Sequence, residues 1–251
     1  MTLKDTTSTE ITALKLKVKE IISEVNVLKD QLEKREITLE KFKEKKEILE
    51  NELRGILDQI SQYKEKGTLE TKKDAFIAEE AKRLMYEFQT YFSDYISKPL
   101  VYLSATLIDH FTFEIDFSNY PEKPKLTASD SCKNLFKVPF ETKISLLDDW
   151  ESQNPPHITE IFYEIENILM KIFRGELFDI VDINLRQARK VVKRWKLFTD
   201  AEYEMELKNI EKAIDLYQQV LQISFELEDF ENSNKYAQLI VQLKEELKKN
   251  N

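Results

Sequence analysis

Glycine, proline, cysteine and histidine are all scarce in this chain of 251 residues, which has three Gly, six Pro, one Cys and two His. Each scarcity excludes something. A lone cysteine, Cys132, cannot form an internal disulfide, so a reducing, cytoplasmic location is expected. Three glycines leave nowhere to place a Gly-rich phosphate loop. His110 and His157 with one cysteine do not make a metal site, and they read as loop or surface residues. No metal and no cofactor are expected. There is no apolar run of membrane-spanning length, and the start "MTLKDTTSTEI" lacks the apolar stretch of a signal peptide, so neither secretion nor membrane spanning is expected. A basic excess is lacking too. Lys and Arg total 38 against 47 Asp and Glu, a net charge of −9, which argues against a general nucleic-acid binder. Acidic pairs such as Asp148-Asp149 read as solvated, and no catalytic constellation is visible, so the chain is not expected to be an enzyme.

What is abundant is charge, at 34%, alongside 41% hydrophobic residues. Many charges with few glycines predict long helices and few tight turns. Ile11, Leu14, Val18, Ile21, Val25, Leu28 and Leu32 step alternately by three and four. The phase continues through Arg35 to Leu39, Phe42, Lys46, Leu49, Leu53, Ile56, Ile60 and Tyr63. This is about seven heptads, a coiled-coil pattern. It favours one helix on the order of 80 Å long at 1.5 Å per residue. Oligomerisation with a second copy or a partner through residues 11–63 would cover the seam. The competing reading makes Thr38 an N-cap after a turn near Glu36 and Ile37, folding the two halves into an antiparallel hairpin.

Beyond Gly67 the pattern changes. "KKDAFIAEEAKRLMYEFQTYFSDY" reads as an amphipathic helix stopped by Pro99. "LVYLSATLI" reads as a strand. "FTFEIDFS", from Phe111, alternates strictly between apolar and polar residues and predicts a half-buried strand joined to the previous one by a tight turn at Asp109 and His110. "KLTASDS" is a third strand. "ITEIFYEIENILMKIF" is a helix, and three more follow from Asp182, with a break near Asp229. The class is α+β within a mostly α chain. Three domains are expected: a coiled coil over 1–67, a small antiparallel-sheet domain over 74–175 and a C-terminal helical bundle over 176–251. In that last domain Ala201, Ala213 and Tyr217 have the spacing of a tetratricopeptide-type helical pair, while Val220 and Phe225 depart from it. A plain bundle is an equal reading.

Three motifs in the middle segment occur in a telling order. The alternating strand runs into Tyr120-Pro121-Glu122-Lys123-Pro124, "SLLDDW" ends at Trp150, and "NPPHITEIFYEIENILMKI" opens a helix. Together they resemble the ubiquitin-conjugating-enzyme fold, including its non-catalytic UEV and RWD branches, which has a Tyr-Pro-x-x-Pro turn after its third strand. The resemblance implies fold and binding roles for Tyr120, Pro121, Pro124 and Trp150. It also implies that the family's nucleophilic cysteine position, eight residues before the tryptophan, is held here by Thr142. A hydroxyl without an adjacent base is a poor thioester acceptor. The family's His-Pro-Asn segment is absent, and Cys132 lies too early to replace the nucleophile. By this resemblance the domain is a non-catalytic relative that binds ubiquitin, peptides or partner subunits. The expected function is an adaptor or scaffold, such as a subunit of an ESCRT-type sorting complex. A kinetochore-like tether, in which coiled coils precede RWD domains, is the alternative, and a divergent conjugating enzyme using Cys132 is the remaining one.

One cluster is strongly basic: Arg186, Arg189, Lys190, Lys193, Arg194 and Lys196 share a helical segment with the apolar residues Val191, Val192, Trp195 and Phe198. The plain reading is a solvated helix packed on its neighbours. The functional reading is contact with an acidic partner or a peripheral contact with an anionic membrane surface.

Overall fold

The computed structural model of the chain describes residues 3–64 and 69–250; the domain boundary expected at Gly67 lies outside them. The elements run α1 (Leu3–Glu33), α2 (Leu39–Ser61), α3 (Leu69–Glu87), β1 (Gln89–Phe92), β2 (Pro99–Ser104), β3 (His110–Asp116), β4 (Lys125–Ala128), then two single turns, α4 (Asp130–Lys133) and α5 (Ser145–Asp148). The long helices α6 (Ile158–Phe173), α7 (Leu185–Glu206), α8 (Ile210–Glu226) and α9 (Phe230–Asn250) complete the chain. The fold is α+β and mostly helical, with one small antiparallel sheet in the order β1-β2-β3-β4. Among the described residues no helix is long and apolar enough to cross a membrane.

The single helix favoured for residues 11–63 is not formed. α1 stops at Glu33, where Arg35 takes a left-handed φ of 60°. The Glu36 N–H then donates to the Gln31 carbonyl at 2.8 Å, a closure that satisfies the last carbonyls of the helix. Thr38 is extended and its Oγ1 accepts from the Lys41 N–H at 3.3 Å, capping α2. The two helices run antiparallel: the Tyr63 hydroxyl donates to Glu10 at 2.9 Å, joining the far ends. Arg35 and Leu39, which an unbroken phase would bury, are exposed. The five-residue turn happens to preserve the heptad phase, so periodicity alone could not reveal it.

Two boundaries also move. The helix expected through Tyr95 ends at Glu87, and Gln89–Phe92 pairs with β2 in the register Gln89↔Tyr102 to Phe92↔Pro99. Thr90 and Phe92 are buried on the inner face of this edge strand, so sheet pairing overrides the helical pattern. The tight turn expected at Asp109 and His110 is instead the loop 105–109, closed by the Ala105 N–H donating to the Asp109 carbonyl at 3.0 Å. β3 keeps its alternation: Phe111, Phe113, Ile115 and Phe117 are buried, and Glu114 is exposed.

Contacts divide the chain into two compact units. The first comprises Met1–Tyr102, Thr112–Thr127 and Ile144–Tyr163; the second comprises Leu103–Phe111, Ala128–Lys143 and Glu164–Asn251. In the first, α1 buries Ile11, Val18, Ile21 and Ile22, and α2 buries Leu53, Ile56, Leu57 and Ile60. Phe113 meets Phe162 of α6 edge-on at 6.2 Å, and Phe88 lies 5.5 Å from the same ring. The N-terminus of α6 is capped from α3: the buried Glu80 accepts from the Ile158 N–H at 2.8 Å and bonds His157 Nδ1 at 2.8 Å. In the second, α7, α8 and α9 form the expected helical bundle around Phe198, Ala201, Tyr217, Val220, Tyr236 and Ile240, with Ile108 of the 105–109 loop in the same core.

Candidate functional site

Within the first unit, the chain leaving β3 makes a compact turn. The Phe117 N–H donates to the Ser97 carbonyl, and the Tyr120 N–H to the Phe117 carbonyl, both at 2.9 Å. Tyr120 and Pro124 are buried, whereas Pro121, Glu122 and Lys123 are exposed between them. The Tyr120–Pro121 peptide is cis. Trp150 closes the turn from the other side: its ring meets Tyr120 edge-on at 6.3 Å, and its Nε1 donates to the Pro121 carbonyl at 2.9 Å. Proline lacks an N–H, so Pro121 and Pro124 cannot donate to a ladder between β3 and β4, while their carbonyls remain usable acceptors. Burial, with Glu80 and Glu79 adding like charge, pushes the Tyr120 hydroxyl up to about 12, so it stays protonated. Tyr120, Pro121, Pro124 and Trp150 are thus brought together. What the turn presents is a fixed shape.

The second unit holds a buried ionic network. Arg194 of α7 and Asp109 are only 4% and 3% exposed. Arg194 Nη2 donates to Asp109 Oδ1 at 2.6 Å, and its Nη1 donates to Asp229 Oδ2 at 2.7 Å and to Ser224 Oγ at 3.2 Å. Asp109 Oδ2 accepts from Thr106 Oγ1 at 2.7 Å. Asp229 also caps α9, accepting from the Asn232 N–H at 3.1 Å, and Asn232 Nδ2 donates to the Ile108 carbonyl at 3.0 Å. Burial disfavours the Arg194 charge, and the two carboxylates more than offset it. Burial also pushes the Asp109 carboxyl up, against the pull of Arg194 and Thr106. These two shifts oppose each other on one contact, and the 2.6 Å geometry with a third partner favours the ionised pair at neutral pH. Beside the network is a cleft of about 560 Å³ reached by His110, Gln187 and Phe230.

Arg194 therefore leaves the basic cluster that spacing assigned it to. It falls on the stripe Ala188, Val191, Phe198, Ala201, which faces the core, and burial forces a partner on it. Lys190 is half-buried and pairs with Glu226 at 2.8 Å. Arg186, Arg189, Lys193 and Lys196 are exposed. Thr142 is exposed on the 3-10 turn Phe140–Lys143, where its hydroxyl donates to the Pro139 carbonyl at 2.7 Å. Cys132 is fully buried, and burial, with Glu141 contributing, pushes its thiol well above the ordinary range. Burial that keeps a thiol protonated disfavours the thiolate that nucleophilic attack and metal ligation require. Sequence reasoning missed Asp109 and Asp229, which sit in loops with no periodicity. The readable signal was on the other partner, an arginine in phase with an apolar stripe.

No protein-family model, no curated protein and no solved structure matches the chain.

Proposed function

We propose that the protein is a non-catalytic adaptor that binds protein partners, built on a relative of the ubiquitin-conjugating fold of the UEV or RWD type. One observation carries the reading: a helix, α3, precedes a four-stranded meander, and the Tyr120–Pro124 turn falls between its third and fourth strands, locked by Trp150. That is where the resembling family keeps its Tyr-Pro-x-x-Pro turn. The buried thiol of Cys132 and the exposed, base-free Thr142 support binding over transfer. Ubiquitin, in an ESCRT-type sorting assembly, is the partner the resemblance suggests.

A second surface supports the adaptor reading. On the α1–α2 hairpin, Leu16, Val27, Leu39 and Ile48 are more than half exposed, and Val27, Leu28, Ile48 and Leu49 line a groove of about 450 Å³. Apolar seams of this kind mark association surfaces, so oligomerisation through residues 11–63 is retained in hairpin form. A kinetochore-like tether needs an extended stalk, and the break at residues 34–38 weighs against it.

The deciding experiment is an NMR titration of labelled ubiquitin with the full chain, paired with a charging reaction containing activating enzyme and ATP. Shifts in ubiquitin resonances without a reducible adduct are expected. A dithiothreitol-sensitive adduct lost in Cys132→Ala would overturn the non-catalytic reading.

A further inference from the structure

Between α6 and α7 the chain makes a short 3-10 turn, Leu177–Asp179, and a loop that carries two of its most exposed apolar side chains. Phe178 is 84% exposed and Val181 72%. The segment around them is held firmly. Leu177 is buried, Ile183 bridges to Phe136, the Asn184 N–H donates to the Leu135 carbonyl at 2.7 Å, and Lys143 pairs with Asp182 at 2.7 Å. Phe178 and Val181 are thus displayed on an anchored loop, and burying an aromatic ring elsewhere would ordinarily be favourable.

The loop feeds directly into α7 through Asn184, whose side chain accepts from the Gln187 N–H as the helix cap. On α7 the exposed Arg186, Arg189, Lys193 and Lys196 follow one another at steps of three, four and three, which makes a single stripe. The buried stripe of the same helix, Ala188, Val191, Arg194, Phe198 and Ala201, takes the other side. None of the four exposed cations is in an ion pair with a described residue, whereas Lys190 and Arg194 are. Lys171 and Arg174, at the end of α6, are also exposed. Against these stand the exposed acids Glu176 and Asp179 of the loop. Glu226 is already paired with Lys190, and the charge of Arg186 also acts on it.

We propose that the Phe178–Val181 loop and the α7 basic stripe form a membrane-docking surface that recognises anionic lipid headgroups. The stripe supplies the attraction to a negatively charged leaflet, at which each Lys or Arg contributes independently. The loop supplies two isolated apolar side chains able to enter the headgroup region, as interfacial anchors do. Charge complementarity selects this occupant: the chain as a whole is acidic, with a net charge of −9, so a concentrated basic stripe would orient it on an anionic surface. Isolated side chains on a narrow loop fit a lipid interface better than a protein partner, which would need a contiguous apolar patch. The proposal is independent of the adaptor reading, since it uses neither the Tyr120 turn nor the α1–α2 seam.

The test is vesicle flotation with the full chain, comparing phosphatidylcholine vesicles with vesicles that also carry phosphatidylserine. Binding is expected only with phosphatidylserine and should weaken as salt is raised. Arg189→Gln with Lys193→Gln should weaken it by roughly thirtyfold, the cost of two lost cations. Phe178→Ser with Val181→Ser should also weaken it while leaving the salt dependence in place. All four side chains are exposed, so circular dichroism should show an intact fold for both variants. No partition onto phosphatidylserine vesicles at low salt overturns the proposal, as does binding that neither double variant changes. Stripe-dependent binding to polyglutamate that Phe178→Ser with Val181→Ser leaves untouched would assign the face to an acidic protein and overturn it as well.

Discussion

Arg194 and Asp109, 85 positions apart in sequence, meet at 2.6 Å with only 5% and 2% of their side chains exposed. Removing one partner from a buried pair leaves an uncompensated charge and costs about 3–5 kcal/mol, whereas replacing both with apolar groups is often near neutral. Arg194→Ala should therefore strip most of the stability of the second unit, and Arg194→Met combined with Asp109→Leu should recover much of it. Urea denaturation followed by circular dichroism measures both. Arg194→Ala within about 1 kcal/mol of the parent would mean that the pair is not sealed from water.

Asp229 makes the second unit acid-sensitive. Burial alone would raise its carboxyl, but the hydrogen bonds from Asn232 and the charge of Arg194 outweigh burial and lower it. A carboxyl lowered on folding stabilises the fold above its unfolded value, about 3.9, and that contribution is lost as pH falls through the lower folded value. Asp109 works in the opposite sense, because its raised carboxyl costs stability at neutral pH and relaxes on protonation. Thermal melts at descending pH should thus show a loss below about pH 4 that Asp229→Asn reduces. Asp229→Asn should also lower the melting temperature at pH 7. An unchanged acid limb in that variant would refute the assignment.

The turn between α1 and α2 holds Arg35 at a φ of 60°, where a Cβ is crowded. Arg35→Gly should stabilise the hairpin by up to about 1 kcal/mol, since the left-handed penalty disappears. Thr38→Ala should destabilise it by about 1 kcal/mol through loss of the cap to Lys41. A continuous helix over residues 11–63 would give the reverse for Arg35, because mid-helix glycine is unfavourable. Denaturant melts of the two single variants distinguish the cases.

Phe113 has no exposure, and its strand neighbour Glu114 faces solvent. Phe113→Ala should cost about 3–5 kcal/mol, a large share of the total stability of a small domain. Glu114→Ala should be nearly silent. Circular dichroism melts with limited proteolysis would show the contrast, and equal melting of the two variants would contradict a strand with one buried face.

How far the sequence could be read depended on which physical signal each element left. β3 was legible because its alternation is set by burial on one face, and α6 because two prolines and an apolar stripe define it. The α7–α9 bundle was legible for the same reason, down to the break near Asp229. The turn at Arg35 was legible only as the competing reading, through Thr38 as an N-cap, because the heptad phase runs across it unbroken and favoured one helix. Among the described residues, glycine supplies one of the four left-handed helix ends, at Gly175; Arg35, Lys208 and Glu228 supply the others. β1 was hidden because its residues also fit the helix before it, and only pairing with β2 decides. Tyr120 and Trp150 were singled out through two separate motifs, while the contact between them is read from the structure alone. The Arg194 network was not legible, because its acids lie in loops where only tertiary structure brings them into range.

That network fixes an order of events during synthesis. Asp109 and its loop leave the ribosome long before Arg194, and the Asn232 that holds the Ile108 carbonyl is 124 positions further on. Closing so long a loop carries an entropic cost that is repaid only when the last contact forms. Until then the 105–109 loop has only its own local hydrogen bonds, through Ala105, Thr106 and Asp109. The bonds to Asp229 and Asn232 can form only once that part of the chain has been made, and a chain truncated before Asp229 would leave a buried arginine short of one of its two carboxylates.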